Sequence, residues 1–324
     1  MEELTPGFGY GQSHAKIILI GEHSVVYGQP AIALPISAIT AQAELKIMKT
    51  KRIIKSSYYD GPLEQMPKTM NGIKHLIDYL CEQLLLEKQG FELTIKSQLP
   101  AERGMGSSAA VAVAIIRSFY NYAHIKLSND KLLKLAEISE LDTHKNPSGL
   151  DAATSASDTP IWMIRQKEIY PIPIKLDAYL VICDSGIKGQ TSSAINIVKQ
   201  RLLLEPQKTQ AAIEALGQLT KKTREVLGSQ DVVLLGEILN QAQANLKQLG
   251  VSLPEIDRYL HIAKQHGALG AKLTGGGRGG CFICLTKDKA TAIQLAQTLK
   301  AHGVTRTWIE TLVQQEENHD TRNS

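Results

Sequence analysis

Residues 101–110 read AERGMGSSAA, and this stretch decides how the rest of the chain is interpreted. It follows an alternating segment at 91–99 that predicts a strand, and it leads into small and apolar residues that predict a buried helix capped by Ser107. The first N–H groups of a helix and the positive end of its dipole favour a bound phosphate. Gly104 and Gly106 carry no Cβ and would let the backbone approach that phosphate closely. A plain capped helix after a turn has the same pattern without a ligand.

Three kinds of phosphate loop fit this stretch to different degrees. A Walker A loop needs Gly-Lys-Ser/Thr after its glycines, and no lysine is present. The dinucleotide-binding pattern G-x-G-x-x-G/A fits, but it needs an acidic residue at the end of a second strand ~20 residues later, where a helix continues here. The third kind is the P-x-x-x-G-x-G-S-S-A-A loop of the GHMP small-molecule kinases. It is matched by Pro100, Gly104, Gly106, Ser107, Ser108, Ala109 and Ala110.

Three further stretches are similar to motifs of this superfamily and follow in its order. GEHSVVYG at 21–28 resembles the first motif, NPSGLD at 146–151 the segment with the catalytic aspartate, and KLTGGGRGGC at 272–281 the third, glycine-rich motif. Galactokinases have Thr-Asp after GEH, whereas Val25, Val26 and Tyr27 resemble the mevalonate kinase branch. The resemblance covers most of the chain.

The element pattern and the resemblance together predict an α+β fold of two domains. Strands and helices mix without a regular βαβ rhythm, and the order helix–strand–helix–strand near the end indicates a small α+β domain. A change of texture near 180–190 places an N-terminal domain at 1–183 and a C-terminal domain at 184–312, followed by a polar tail at 313–324. The resemblance implies a ferredoxin-like C-terminal domain and an active site in the cleft between the domains.

The resemblance implies an ATP- and Mg²⁺-dependent kinase that phosphorylates the primary hydroxyl of mevalonate to 5-phosphomevalonate, on the route to isoprenoids. Such a transfer needs held phosphates, neutralised charge and an aligned hydroxyl. Asp151 is the implied catalytic base and Lys16 its cationic partner, with Mg²⁺ held by Ser108 and Glu140. The implied ATP-binding residues are Pro100, Gly104, Met105, Gly106, Ser107, Ser108 and Ala109.

The implied substrate-binding residues are Glu22, His23, Thr191, Gly276 and Gly277. Two departures from the family pattern concern the same region. Arg278 stands where a glycine is common, and it either adds a cation beside the phosphates or points to solvent. Gly189 stands where relatives can carry an arginine, which leaves Lys188 as a substitute for recognising a carboxylate.

Each of these residues also has an ordinary structural interpretation. Asp151 alone would be a turn or cap residue, Lys16 a strand-edge residue, and Glu140 an exposed helix residue paired with His144. At the level of function, three alternatives stay open: a kinase of the superfamily acting on phosphomevalonate, homoserine or a sugar, a nucleotide-binding protein without catalysis, and an NAD-binding protein.

Composition excludes other classes of function. The 324 residues carry a net charge of +4 with no basic run and only 5% aromatics, which argues against nucleic-acid binding. The longest apolar run has eight residues, too short to cross a membrane, and the N-terminus does not resemble a signal peptide. Four cysteines lie in apolar surroundings, and we expect buried free thiols in a cytoplasmic protein rather than a Cys281-x-x-Cys284 metal site. The resemblance also implies a homodimer.

Overall fold

A computed structural model of the chain describes residues 7–100, 103–141 and 149–312. The predicted tail at 313–324, residues 101–102 of the glycine turn, and residues 146–148 of the NPSGLD motif lie outside this range. The chain forms two compact units, Met1–Pro171 and Ile172–Ser324.

The first unit is a seven-stranded sheet with helices. Its strands are β1 (Phe8–Ile20), β2 (Pro30–Met48), β3 (Arg52–Lys55), β4 (Asp60–Pro62), β5 (Gly90–Ser97), β6 (Ile161–Ile164) and β7 (Glu168–Pro171). The strand order is β4-β3-β5-β2-β6-β7, with β1 paired to β2. All neighbours are antiparallel except β3 and β5, which run parallel.

The helices of this unit are α1 (Asn71–Gln83), α2 (Ser107–Tyr122), α3 (Asn129–Leu141) and α4 (Leu150–Ser155). The central helix α2 packs against β1 at unusually short range. A Cβ at Gly9 would overlap the carbonyl oxygen of Ser118, and one at Gly11 that of Ala114. Ser13 on the same strand donates its hydroxyl to the carbonyl of Ala110 at 2.6 Å. These contacts fix the start of α2 relative to β1.

The structure differs from the sequence expectations in three places. Residues 50–72 are polar and contain Gly61, Pro62, Pro67 and Gly72, a pattern that predicts a loop or flap, but they form β3, β4 and short 3₁₀ turns. The apolar run at 31–37 and the alternating pattern at 40–49, which predicts a strand, belong to one continuous strand, β2. The cap of α2 is Gly106 in the left-handed region, without a side-chain hydrogen bond, and the expected cap, Ser107, is the first helical residue.

The second unit contains β8 (Tyr179–Asp184), α5 (Thr191–Leu204), α6 (Pro206–Leu227), α7 (Val232–Gln248), α8 (Pro254–Gln265), β9 (Gly270–Leu273), β10 (Cys281–Thr286), α9 (Lys289–Ala301) and β11 (Arg306–Thr311). Its antiparallel sheet has the order β11-β8-β10-β9. This order, with helices between the first and second and between the third and fourth strands, confirms the predicted ferredoxin-like topology. The division after Pro171 precedes the predicted boundary at 183, because β8 pairs with both β10 and β11.

The four cysteines are buried and free, as expected. Cys281 and Cys284 lie in β10, and the described ranges contain no group of three or more side chains able to hold a metal ion. Within the same ranges, no helix is both long and apolar enough to cross a membrane.

Candidate active site

The first unit brings together the two predicted catalytic residues. Lys16 lies on β1 just after the register between β1 and β2 shifts at His14 and Ala15. Its side chain is buried, and its Nζ lies 2.9 Å from Oδ1 of Asp151 in the first turn of α4. The Asp151 side chain remains 41% exposed. The pair therefore combines a buried ammonium group with a carboxylate that a ligand can reach.

The glycine turn at 103–106 contacts this lysine directly. The backbone N–H of Lys16 donates to the carbonyl of Met105 at 3.0 Å, and Met105 is itself buried. Gly106 has φ +71°, and a Cβ there would lie 2.8 Å from Cγ of Lys16. Only glycine combines this backbone conformation with such a close approach. The turn and the Lys16–Asp151 pair therefore form one structural unit.

The start of α2 has the chemistry of an anion site. The first intrahelical hydrogen bond runs from the N–H of Ala110 to the carbonyl of Gly106 at 2.9 Å. The N–H groups of Ser107, Ser108 and Ala109 therefore have no intrahelical acceptor, and the N-cap residue, Gly106, has no side chain to cap them. Ser108 is exposed, whereas Ala109 is buried. An oxyanion at this position would accept from these N–H groups at the positive end of the helix dipole.

The remaining predicted residues of the turn have less specific surroundings. Gly104 is exposed with φ +78°, and Pro100 is partly buried ahead of the turn. The turn is thus open to solvent on the side of Gly104 and closed on the side of Met105.

Glu140 near the end of α3 is buried with 7% exposure, which rules out the alternative of an exposed helix residue. Its alternative partner, His144, lies outside the described residues. Burial above all, and then the Asp151 carboxylate, raise the pKa of Glu140 to about 7, while the Lys16 ammonium opposes the shift. Its Oε1 atom is buried without a hydrogen-bond partner in the described part of the chain. A cation would satisfy this oxygen, so the residues present fit Mg²⁺.

Glu22 and His23 lie in a tight turn directly after β1. Gly21 has φ +101°, and a Cβ there would meet the carbonyl oxygen of Pro30 at 2.5 Å. His23 also adopts a positive φ, of 62°, and both predicted residues are nearly buried. The Ser24 hydroxyl donates to the carbonyl of Gly21 at 3.1 Å and closes the turn.

The second unit brings together the other predicted substrate residues. Thr191 begins α5, and a Cβ at Gly276 would overlap the Oγ1 atom of Thr191. A Cβ at Gly277 would lie 2.6 Å from the carbonyl oxygen of Val251. The third glycine-rich motif is therefore packed between the start of α5 and the segment that follows α7, which explains its need for glycine.

Sequence reasoning missed the polar side chains that hold this motif. Gln243 on α7 accepts from the N–H of Leu273 at 3.0 Å and donates to the Ser252 hydroxyl at 3.0 Å. Lys272 is fully buried, and its ammonium donates to the carbonyl of Leu273 at 2.6 Å. The only signal for Lys272 was a charge within an apolar strand. Gln243 gave no signal, because an amide on a helix usually faces solvent.

Family models for the N-terminal domain and the C-terminal region of GHMP kinases match residues 71–158 and 212–305. A mevalonate kinase of Pyrococcus horikoshii is 32% identical over 87% of this chain and 91% of that protein. The chain belongs to the mevalonate kinase family of the GHMP kinases. It is therefore an ATP-dependent small-molecule kinase, and the dinucleotide-binding alternative is wrong.

Solved structures of this family share the fold. A mevalonate kinase from methicillin-resistant Staphylococcus aureus has a TM-score of 0.75 and 31% identity, covering 95% of this chain and all of that one. The L. major mevalonate kinase in complex with R-mevalonate has a TM-score of 0.83 and 26% identity, covering 98% of this chain and 99% of that one.

Proposed function

We propose that this mevalonate kinase family member transfers the γ-phosphoryl group of ATP to the primary hydroxyl of mevalonate, producing 5-phosphomevalonate and ADP. The observation that carries the proposal is the Lys16–Asp151 ion pair, built against the glycine turn through Met105 and Gly106. The relative from P. horikoshii is named a mevalonate kinase, and the L. major structure holds R-mevalonate. Both support mevalonate as the acceptor.

In the proposed step, the exposed part of the Asp151 carboxylate accepts the proton of the acceptor hydroxyl. The hydroxyl oxygen forms the new bond to the γ-phosphorus as the bond from that phosphorus to the bridging oxygen of ADP breaks. The Lys16 ammonium, held 2.9 Å from Oδ1 of Asp151, stabilises negative charge as it develops on the hydroxyl oxygen. Because Lys16 is buried, water screens this charge only weakly.

The phosphates of ATP are assigned to the glycine turn and the start of α2. The N–H groups of Ser107, Ser108 and Ala109 would donate to phosphate oxygens, and Gly104 and Gly106 allow the close approach. Glu140 and the Ser108 hydroxyl would hold Mg²⁺, which neutralises phosphate charge when bound.

The acceptor-binding residues implied by the resemblance stay predictions. They are Glu22 and His23 in the first unit, and Thr191, Gly276 and Gly277 in the second. The homodimer implied by the family resemblance stays a prediction, to be checked by sedimentation of the purified chain.

The test is ADP release from Mg·ATP with mevalonate, phosphomevalonate, homoserine, galactose and no acceptor. We expect turnover with mevalonate alone. Asp151→Asn should lower kcat by about 10²–10⁴-fold, the usual contribution of a positioned acid or base. Asp158→Asn is the matched control, because Asp158 follows α4, is 92% exposed and pairs with His14 at 3.2 Å rather than with Lys16.

Three outcomes would contradict the proposal. Turnover with another acceptor would keep the kinase chemistry and overturn the choice of mevalonate. A variant at Asp151 within a few-fold of the wild type would remove the proton-accepting role. ATP binding without turnover on any acceptor would favour a protein that binds nucleotide without catalysis.

A further inference from the structure

Arg278 adopts a backbone conformation that residues with a Cβ rarely adopt. Its φ is +52°, between Gly277 at +73° and Gly279 at +114°. Glycine takes up this left-handed region freely, whereas an L-residue with a side chain does so at an energetic cost. An arginine kept at such a position points to a function for its side chain.

The neighbouring backbone prevents this residue from relaxing. The N–H of Arg278 donates to the carbonyl of Val251 at 2.8 Å, and a Cβ at Gly277 would lie 2.6 Å from the same oxygen. On the other side, a Cβ at Gly279 would lie 2.6 Å from the carbonyl oxygen of Lys188. The direction in which the arginine side chain leaves the loop is therefore fixed.

The inner nitrogen of the guanidinium group has no acceptor in the part of the chain that the structure describes. The Nε of Arg278 is buried and has no hydrogen-bond partner among residues 7–100, 103–141 and 149–312, while the side chain as a whole is partly exposed. A buried donor without an acceptor is unfavourable. The planar guanidinium presents Nε and a terminal nitrogen as a fork that matches two oxygens of a carboxylate or phosphate.

The loop is also joined by backbone hydrogen bonds to the segment 187–190. The N–H of Gly280 donates to the carbonyl of Ile187 at 2.8 Å, and the N–H of Gln190 to that of Gly277 at 3.4 Å. Between these two contacts lies Gly189, which has no side chain. Thr191, one of the predicted acceptor-binding residues, directly follows and packs on Gly276.

We propose that Arg278 binds an anionic group of one of the two substrates and so contributes to the specificity for that substrate. The two candidate groups are the carboxylate of the acceptor and the phosphate chain of ATP. Their choice rests on the proposed function. Both present oxygens in the planar or forked geometry that a guanidinium binds. The guanidinium that would bind them belongs to the glycine-rich motif at 272–281.

The test compares the wild type with Arg278→Gly and Arg278→Lys. Equilibrium affinity is measured by calorimetry for mevalonate and for inorganic tripolyphosphate, and KM is measured for mevalonate, its carboxamide and ATP. Arg278→Gly should weaken one of the two anions by about ten- to hundredfold, the effect expected for a lost hydrogen bond to a charged group. The affinity of Arg278→Lys should fall between those of the wild type and Arg278→Gly, because lysine keeps the charge and loses the forked guanidinium.

The two sources give different results. A carboxylate ligand predicts that Arg278→Gly raises the KM for mevalonate and loses the preference for mevalonate over its carboxamide. A phosphate ligand predicts weaker binding of tripolyphosphate and ATP with that preference unchanged. The control is Gln166→Gly, which removes a side chain from a residue with a similar positive φ of 61° in an exposed turn. This variant should alter neither affinity.

Unchanged affinity for both anions in a folded Arg278→Gly protein would overturn the proposal. So would equal losses in Arg278→Gly and Gln166→Gly, since these would reflect backbone conformation alone. Failure of the proposed function is separable: a wild type that does not phosphorylate mevalonate still binds tripolyphosphate, and the calorimetric comparison still evaluates Arg278.

Discussion

Replacing Glu140 by Gln is expected to stabilise the protein without metal and nucleotide, and to remove most of its turnover. The two effects have opposite signs because the buried carboxylate is unfavourable until a cation binds to it. Its pKa of about 7, against 4.5 for the exposed group, means that the folded protein resists its ionisation. A purely structural glutamate would instead be stabilising, and its removal would be destabilising.

The magnitude follows from that pKa. A pKa difference of one corresponds to ~1.4 kcal/mol, so holding Glu140 ionised at pH 8 costs the folded protein about 3 kcal/mol. A buried glutamine amide with unpaired polar groups lowers the free energy of unfolding by ~1–2 kcal/mol, which offsets part of this gain. We therefore expect a net gain of about 1–2 kcal/mol at pH 8. Because the folded pKa is raised, the cost is absent below pH ~4.5, grows up to about pH 7 and is constant above it.

The assay is urea unfolding of both proteins in EDTA at pH 5 and at pH 8. The stability difference should be small or in favour of the wild type at pH 5 and should favour the variant at pH 8. Glu137→Gln, on the exposed side of the same helix α3, is the matched control and should change stability by less than ~0.5 kcal/mol. A Glu140→Gln protein less stable than the wild type at pH 8 would refute the reasoning.

Three further predictions concern the scaffold of the site. Gly106→Ala should reduce kcat strongly, because the new Cβ would lie 2.8 Å from Cγ of Lys16 and displace that side chain. The control is Gly28→Ala, with φ +79° and open space around it, which should cost only backbone strain of about 1–2 kcal/mol. The two variants are compared by enzyme kinetics and by thermal melting. Asn240→Ala should destabilise the protein by about 1–3 kcal/mol in urea unfolding, because its side-chain amide donates to the carbonyl of Leu269 and accepts from the N–H of Ala271. Asn245→Ala on the same helix should cost less, because this half-buried side chain loses only a hydrogen bond to Gln241 within that helix. The four buried thiols should resist a disulfide reagent in the native protein and react fully in guanidinium, and rapid reaction of any native thiol would contradict their burial.

Much of the fold could be predicted because the segments are locally consistent. The helices α5 to α8 begin and end within a few residues of the periodicity in the sequence, since each has an amphipathic pattern bounded by glycine, proline or a polar cap. The region 50–72 was predicted wrongly as a loop. Its strands β3 and β4 are short and polar at their ends, and they form because β5 offers a parallel edge to β3.

The candidate site was predicted in parts rather than as an arrangement. The resemblance named Lys16, Asp151 and Glu140, but Lys16 lies on β1, more than a hundred residues before the other two, which lie on separate helices. Their proximity depends on how α3 and α4 pack in the first unit, which no local pattern encodes. The same holds for Gln243, whose contact with Leu273 depends on α7 lying along the free edge of β9.

The sequence by itself determined the family, the chemistry of the glycine turn and the types of residue at the site. These follow from local rules: glycine where the backbone must approach a phosphate, and a carboxylate and an amine where a proton moves. Only the tertiary structure decided that the Lys16 ammonium lies 2.9 Å from Asp151, that Glu140 is buried with an oxygen unpaired among the described residues, and that Arg278 is held at positive φ. Burial and distance set the strength of each charge, and both are properties of the packed chain rather than of any segment of it.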